Sequence, residues 1–173
     1  MWARFKDENG NPLRHFKSTE EMDQYMIDMH NSVVRPSDHW YSLGDISTMR
    51  PRFIARQLRA LNGHKRLIRG NHDTYKTKEY LEFFDEIYGL RVLDNILFSH
   101  VPIHPTCMGH FAANVHGHIH TGPDLKPVVG VSKDGKVWTM SYLNITVEHL
   151  NYRPLSFEEI KQRIRSKQEE HNI

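Results

Sequence analysis

Apolar residues along this chain come in short blocks, and the spacing changes from block to block. The opening, residues 1 to 17, is polar and carries a turn signal around Asn9, Gly10 and Pro12. Ser18 and Glu21 then form a capping box, and Met22, Tyr25, Met26, Met29 and Val33 recur at helical spacing. "RPSD" breaks that helix, and "HWYSLGD" reads as a buried strand ending in a loop at Gly44 and Asp45. Phe53, Ile54, Leu58 and Leu61 predict a second helix, stopped by Asn62 and Gly63. "KRLIRG" reads as a short strand, the stretch from about Lys76 to Ile87 as a helix, and "YGLRVLDNILFSH" as one or two strands ending at His100.

From Val101 to Ala113 the chain is irregular and rich in His and Pro, after which "NVHGHIH" predicts a strand running into a loop. "KPVVGVSKDGKVWTMSY" reads as a hairpin turned at 133 to 135, and "LNITVEHL" as further β structure. Ser156 and Glu159 make a second capping box for a terminal helix with Phe157, Ile160 and Ile164 inward. Its polar tail, "RSKQEEHNI", is expected to fray. Strands alternate with helices early and pair as hairpins late. The expectation is one α/β domain with mixed sheets over residues 1–173, with 1–17 as a polar loop and 156–173 as the C-terminal helix and tail.

Composition narrows the function. Lys and Arg number 23 against 21 Asp and Glu, a formal charge of +2, which is no electrostatic footprint for nucleic acid. Cys107 is the one cysteine, so no intrachain disulfide forms and the chain reads as cytoplasmic. No apolar run approaches the ~20 residues of a membrane span, and the start carries no signal-peptide core, so no membrane partner is expected. The outlier is histidine: of 13, six fall between His100 and His120.

Four motifs stand in order, each where a strand ends and a loop begins: Gly44-Asp45, Gly70-Asn71-His72-Asp73, Ser99-His100, and Gly117 to His120. Open α/β sheets place ligands at such strand ends. Glycine before a ligand lets the backbone turn sharply and approach closely. Oxygen and nitrogen donors without thiolates suit divalent Mn, Fe, Zn, Ni or Co. In a two-metal site a carboxylate such as Asp45 bridges ions about 3.5–4 Å apart, which clamp a phosphate and activate water.

With these motifs, the chain resembles the calcineurin-like metallophosphoesterase superfamily, in particular its small single-domain bacterial and phage members. The resemblance runs from about Phe16 to Ile164 and includes "VVRPSDHWYSLGD" and the closing "YRPLSFEEI". It implies a β-sandwich of mixed sheets flanked by helices. It implies that Asp45 bridges two metals, that Asn71, His100 and His118 complete one ion's shell, and that His120 ligates the other. It also implies that His72 assists the leaving group or the phosphate oxygens, with Asp73 orienting its imidazole; Asp73 reads equally as a turn residue. The substrate implied is a small phosphorylated molecule, as phosphomonoester, phosphodiester or nucleotide.

One family motif is missing. Asp-x-His at the end of the first strand supplies two ligands to the second metal, and here only Met1 precedes Trp2. The chain therefore reads as lacking that first strand, with instability, a homo-oligomer covering the gap, or a start upstream of Met1 as the expected consequences. "DMH" at Asp28 to His30 matches in letters only, because residues two apart on a helix point in nearly opposite directions. His116, taken to share a strand face with His118 and His120, is a substitute to consider, as are His104 and His110. Arg69 reads as a phosphate contact or a surface residue. The alternative to a working hydrolase is a catalytically impaired form that binds one metal or none and acts as a binding or accessory protein. Nuclease action lacks a basic stripe or stacking aromatics, and a zinc module lacks Cys/His pairs.

Overall fold

A computed structural model describes residues 6, 9–109, 111–121, 125–131, 134, 135 and 137–171. Expectations about the first strand, about His110 and about Lys133 in the hairpin turn lie outside the described residues. Among the described residues no helix is long and apolar enough to cross a membrane.

Helix α1 spans Thr19–Asn31. Ser18 Oγ accepts from the Glu21 N–H at 3.1 Å, while Glu21 Oε2 accepts from the Lys17 N–H at 2.6 Å. The helix stops at Asn31, so Val34 turns inward in place of the expected Val33, which is exposed. Strand β1 is His39–Ser42, β2 is His64–Ile68 and β3 is Glu86–Tyr88; they form a parallel sheet in the order β1-β2-β3. Between β1 and β2 lies α2, Ala55–Ala60, entered by a 3-10 turn at Pro51–Ile54 that leaves Phe53 exposed rather than on the helix's inner face.

The helix expected from Lys76 to Ile87 is only Thr77–Tyr80, α3. The remainder is drawn off by β2. Asp85 accepts from the Lys65 N–H at 3.0 Å, and Arg66 to Ile68 pair with Glu86 to Tyr88. A sheet ladder plus burial of Tyr80 and Phe84 outweighs local helix propensity.

The second sheet has the order β4-β5-β6-β8-β7, where β4 is Leu90–Leu93, β5 is Ile96–Ser99, β6 is Ala113–His116, β7 is Val128–Val131 and β8 is Val137–Asn144. β5, β6 and β8 run parallel, and each end is closed by a hairpin. The β4–β5 turn puts Asp94 and Asn95 at φ 45° and 62°, the left-handed pair that a two-residue hairpin needs. "LNITVEHL" is not a strand throughout: Leu143 and Asn144 end β8, and Val147–Leu150 is a 3-10 turn.

Alternation along the strands builds three apolar layers. Ile68 faces Ile96, Phe98, Val115 and Leu143 of the other sheet, with Ile160 and Ile164 of the terminal helix α4, Phe157–His171. Leu67, one residue earlier, points the other way, to Ile54, Leu58 and Tyr80. Leu97 likewise leaves the shared layer for Met108, Met140 and Tyr142.

Among the described residues the polar tail of α4 expected to fray stays helical to His171, and Asn172 and Ile173 lie outside them. Lys167 Nζ donates to Tyr142 O and Gln168 Nε2 to Ala112 O, both at 3.2 Å, docking it on the sheet. Its entry is a reciprocal capping box, Glu159 N–H to Ser156 Oγ at 3.2 Å and Ser156 N–H to Glu159 Oε2 at 2.8 Å. The Ser156 backbone and hydroxyl, helped by Arg153, hold the Glu159 carboxyl down at about 2. Ser156→Ala is expected to lower stability by about 1 kcal/mol in a denaturant titration; an unchanged midpoint would mean that docking of the tail alone sets this helix.

Candidate metal centre

The four motifs leave the C-terminal ends of β1, β2, β5 and β6. The loops after β1 and β2 meet backbone to backbone at two glycines. Gly44 sits at φ 93°, and a Cβ there would stand 2.7 Å from Gly70 Cα and 2.8 Å from Ile68 O. A Cβ on Gly70 would stand 2.5 Å from Asp45 N. Neither position has room for a side chain, which is the physical meaning of the two glycines before Asp45 and Asn71.

Asp73 clasps the same two loops. It is 1% exposed; Oδ2 accepts from the Asp45 and Gly70 N–H groups, both at 2.8 Å, and Oδ1 accepts from the Ile46 N–H at 3.0 Å. Burial raises its pKa, the three backbone donors pull against that shift, and the Asp45 charge adds to it. Both oxygens are thus committed to backbone, a different task from the orientation of His72 expected for it. Arg69 is likewise a strut: it donates to the carbonyls of Asp73 and, at 2.9 Å, of Tyr75. The phosphate contact considered for Arg69 gives way to this one.

With the loops held so, four side chains converge. His100 Nδ1–H donates to Leu43 O at 2.6 Å, which turns Nε2 into the site. His100 Nε2 lies 3.0 Å from Asn71 Oδ1, 3.1 Å from His118 Nδ1 and 3.2 Å from Asp45 Oδ2. Ligand atoms of Asp45, His100 and His118 all fall within 4.8 Å of one another. With Nδ1–H donated to Leu43 O, Nε2 of His100 faces a carboxylate oxygen, an amide oxygen and a second imidazole. Acceptors gathered in this way suit a positive charge between them, a proton on Nε2 or a bound cation. Two nitrogen and two oxygen donors with no thiolate fit a divalent Mn, Fe, Co, Ni or Zn ion.

Two of these residues are held in left-handed backbone, Asp45 at φ 56° and His118 at φ 67°. Ile119 N–H donates to Gly117 O at 2.8 Å across His118, a three-residue turn of the rarer, strained hand. Asn144 Nδ2 and Thr146 Oγ1 donate to Ile119 O at 2.6 and 3.3 Å and hold that turn in place. Burial lowers the His118 pKa, and His100 beside it lowers it further, against a smaller upward pull from Asp45.

His120 stands apart from this group. Its Nδ1–H donates to both oxygens of Glu148 at 3.1 Å, and Arg14 donates Nε and Nη2 to Glu148 Oε1 at 2.8 and 2.6 Å. The Glu148 and Arg14 side chains are 7% and 6% exposed. Burial would raise the Glu148 pKa, but the His120 hydrogen bond and the Arg14 charge overcome it and hold the group at about 2. The sequence carried no sign of either partner, since Glu148 lies in a stretch that reads as a strand and Arg14 in the polar opening. His72 is exposed; its backbone N–H donates to Asp45 Oδ1 at 2.8 Å.

The proposed substitutes go elsewhere. β6 ends at His116, which is buried beside the Tyr142 ring, so alternation does not carry its face on to His118 and His120. His104 caps the 3-10 turn Pro105–Cys107 by accepting from the Thr106 N–H. Cys107 is exposed. In "DMH", Asp28 accepts from Gln24, while His30 donates to Asn62 O and packs on Trp40.

No protein-family model matches the chain. It is similar to an uncharacterized protein of Methanocaldococcus jannaschii, 29% identical over 152 residues that cover 84% of this chain and 76% of that one. It is also similar to a crystal structure of a protein of unknown function from Aquifex aeolicus, with a TM-score of 0.62, 24% identity and 86% of each chain covered. That likeness shows a shared fold: a mixed α/β chain with two sheets and helices.

Proposed function

We propose that this chain is a metal-dependent phosphoric ester hydrolase of the calcineurin-like metallophosphoesterase type. The observation that carries the reading is the convergence of Asp45 Oδ2, Asn71 Oδ1, His100 Nε2 and His118 Nδ1 with the His100 Nδ1–H already spent on Leu43. The apolar layer shared by two sheets supports the finer reading as that family's sandwich.

A divalent ion in this donor set supplies Lewis acidity toward a phosphoryl oxygen and lowers the pKa of water. The chain's own residues do the rest. Asp45 gives one oxygen to the cluster and uses the other to hold the His72 backbone. His72 thereby presents an exposed imidazole beside the centre, where it donates a proton or hydrogen bond to the leaving oxygen. His120, oriented by its Nδ1–H bond to Glu148, is the residue that would serve a second ion.

A second reading is a single-metal binding protein without turnover. It is favoured by the fact that, among the described residues, one group of three potential ligands gathers. Elemental analysis after reloading with Mn²⁺, run beside hydrolysis of a chromogenic phosphodiester, separates the two. The hydrolase reading expects bound Mn²⁺ and turnover, with His72→Ala lowering kcat by about 10²–10⁴-fold at unchanged metal content. Bound metal without turnover favours the second reading, and no bound metal removes both, leaving the metal-free form of the binding protein.

A further inference from the structure

The two segments that leave the centre, one from Asp45 and one from Asp73, run on to form the walls of a single cleft of ≈ 540 Å³. That volume lies within the range of about 300–1,000 Å³ typical of small-molecule sites. Its charge is one-sided: Arg50, Arg52, Lys76 and Lys78 stand against Glu79 and Glu82. One of the two carboxylates is already spoken for, because Arg50 Nη1 pairs with Glu79 Oε2 at 3.2 Å. Among the described residues, Arg52, Lys76 and Lys78 enter no ion pair.

The cleft is also built rather than loose. The Arg50 guanidinium lies 5.1 Å from the centre of the Tyr75 ring, and the Tyr75 hydroxyl donates to Thr48 O at 3.2 Å, which ties one wall to the other. Arg69 holds the Asp73 and Tyr75 carbonyls from beneath. Next to Arg52, the Phe53 ring is 64% exposed, with the guanidinium carbon 4.9 Å from its centre. Cations without ion-pair partners among the described residues, one of them stacked on an exposed aromatic ring at the cleft's margin, match a ligand that joins several anionic groups to a flat ring.

We propose that this cleft receives further anionic groups of the substrate while one phosphoric ester sits at the metal centre, so the substrate is a multiply charged ester of the nucleoside-polyphosphate kind. The proposal rests on the hydrolase reading for the reaction but not for the binding. Cations clustered in one cleft reward each added negative charge, and this gain fades with salt. A substrate with a neutral tail would leave Lys76 and Lys78 without a function in the cleft.

The test is calorimetric titration of the Mn²⁺-loaded protein with tripolyphosphate and with orthophosphate. Tripolyphosphate is expected to bind at least about tenfold more tightly, and the ratio should fall close to one in K76E/K78E. Arg52→Glu, also at an exposed position, is a second variant that should shrink the ratio if the double substitution fails to fold. Equal affinities for the two anions overturn the proposal, as does a preference that survives both variants. Tighter binding of a single-stranded oligonucleotide at equal phosphate concentration also overturns it, assigning the cleft to nucleic acid. Hydrolysis is scored separately. A protein that prefers tripolyphosphate through these lysines yet cleaves no ester keeps the cleft and loses the hydrolase reading; turnover without the preference does the reverse.

Discussion

Asp73→Asn is expected to cost about 3 kcal/mol of stability and most of the Mn²⁺ affinity, although the side chain is nearly the same size. Three backbone N–H groups point at this carboxylate, from Asp45, Ile46 and Gly70. An amide keeps one oxygen and turns an NH₂ group toward donors that need an acceptor. One or two buried N–H groups are then left unsatisfied, at about 1–3 kcal/mol each. The loops they belong to carry Asp45 and Asn71, so the ligand atoms spread as the clasp opens. Denaturant midpoints and Mn²⁺ titration check both effects. His72→Ala is the contrast: it removes an exposed imidazole and should leave both quantities near those of the unaltered protein. If Asp73→Asn behaves like His72→Ala, the clasp is not what holds the centre together.

Arg14→Met should cost about 3–5 kcal/mol at neutral pH, because it strands a buried carboxylate. The Glu148 side chain is 7% exposed and has its charge balanced by Arg14 and by the His120 hydrogen bond. This loss should depend on pH in a defined direction. In the unaltered protein the Glu148 carboxyl titrates at about 2, below the ordinary value of 4.5. Its contribution, on the order of 3 kcal/mol, is full above pH 4.5 and is lost as pH falls toward 2. In Arg14→Met the His120 hydrogen bond still opposes burial but the Arg14 charge and hydrogen bonds are gone, so Glu148 protonates at higher pH and the under-compensated charge disappears. The stability gap between the two proteins should therefore narrow from pH 7 to pH 3 in urea titrations. A gap that stays constant over that range would show that Glu148 is not the group responsible. Arg14→Met with Glu148→Leu should recover much of the loss, since replacing both members of a buried pair is far less costly than removing one.

Much of the architecture was legible locally. Ser18 with Glu21 and Ser156 with Glu159 announce helix starts because a hydroxyl and a carboxylate three residues apart satisfy the first turn's own N–H groups. The short strands announce themselves through apolar alternation, and Gly44 and Gly70 mark where two backbones would have to meet. That four motifs sit at strand ends was likewise readable, and the family resemblance they carry implied the grouping of Asp45, Asn71, His100 and His118.

What failed to read locally was settled by partners far along the chain. Residues 81–87 look helical until β2 offers Glu86 and Ile87 a ladder. The α4 tail looks too polar to hold until Tyr142 and Ala112 present carbonyls to it. Leu43 O, which orients His100, is 57 positions away; Glu148 is 28 from His120 and 134 from Arg14. Asp73 reads as a neighbour of His72 and acts instead on a loop 27 and 28 positions back. The sequence by itself determined which residues offer donor atoms at the strand ends and roughly where each strand delivers them, because propensity and spacing act between near neighbours. Only the tertiary structure decided which carboxylate braces a loop, which one pairs with Arg14 and His120, and where Arg52, Lys76 and Lys78 collect, because those roles depend on contacts made when the sheets and helices close on one another.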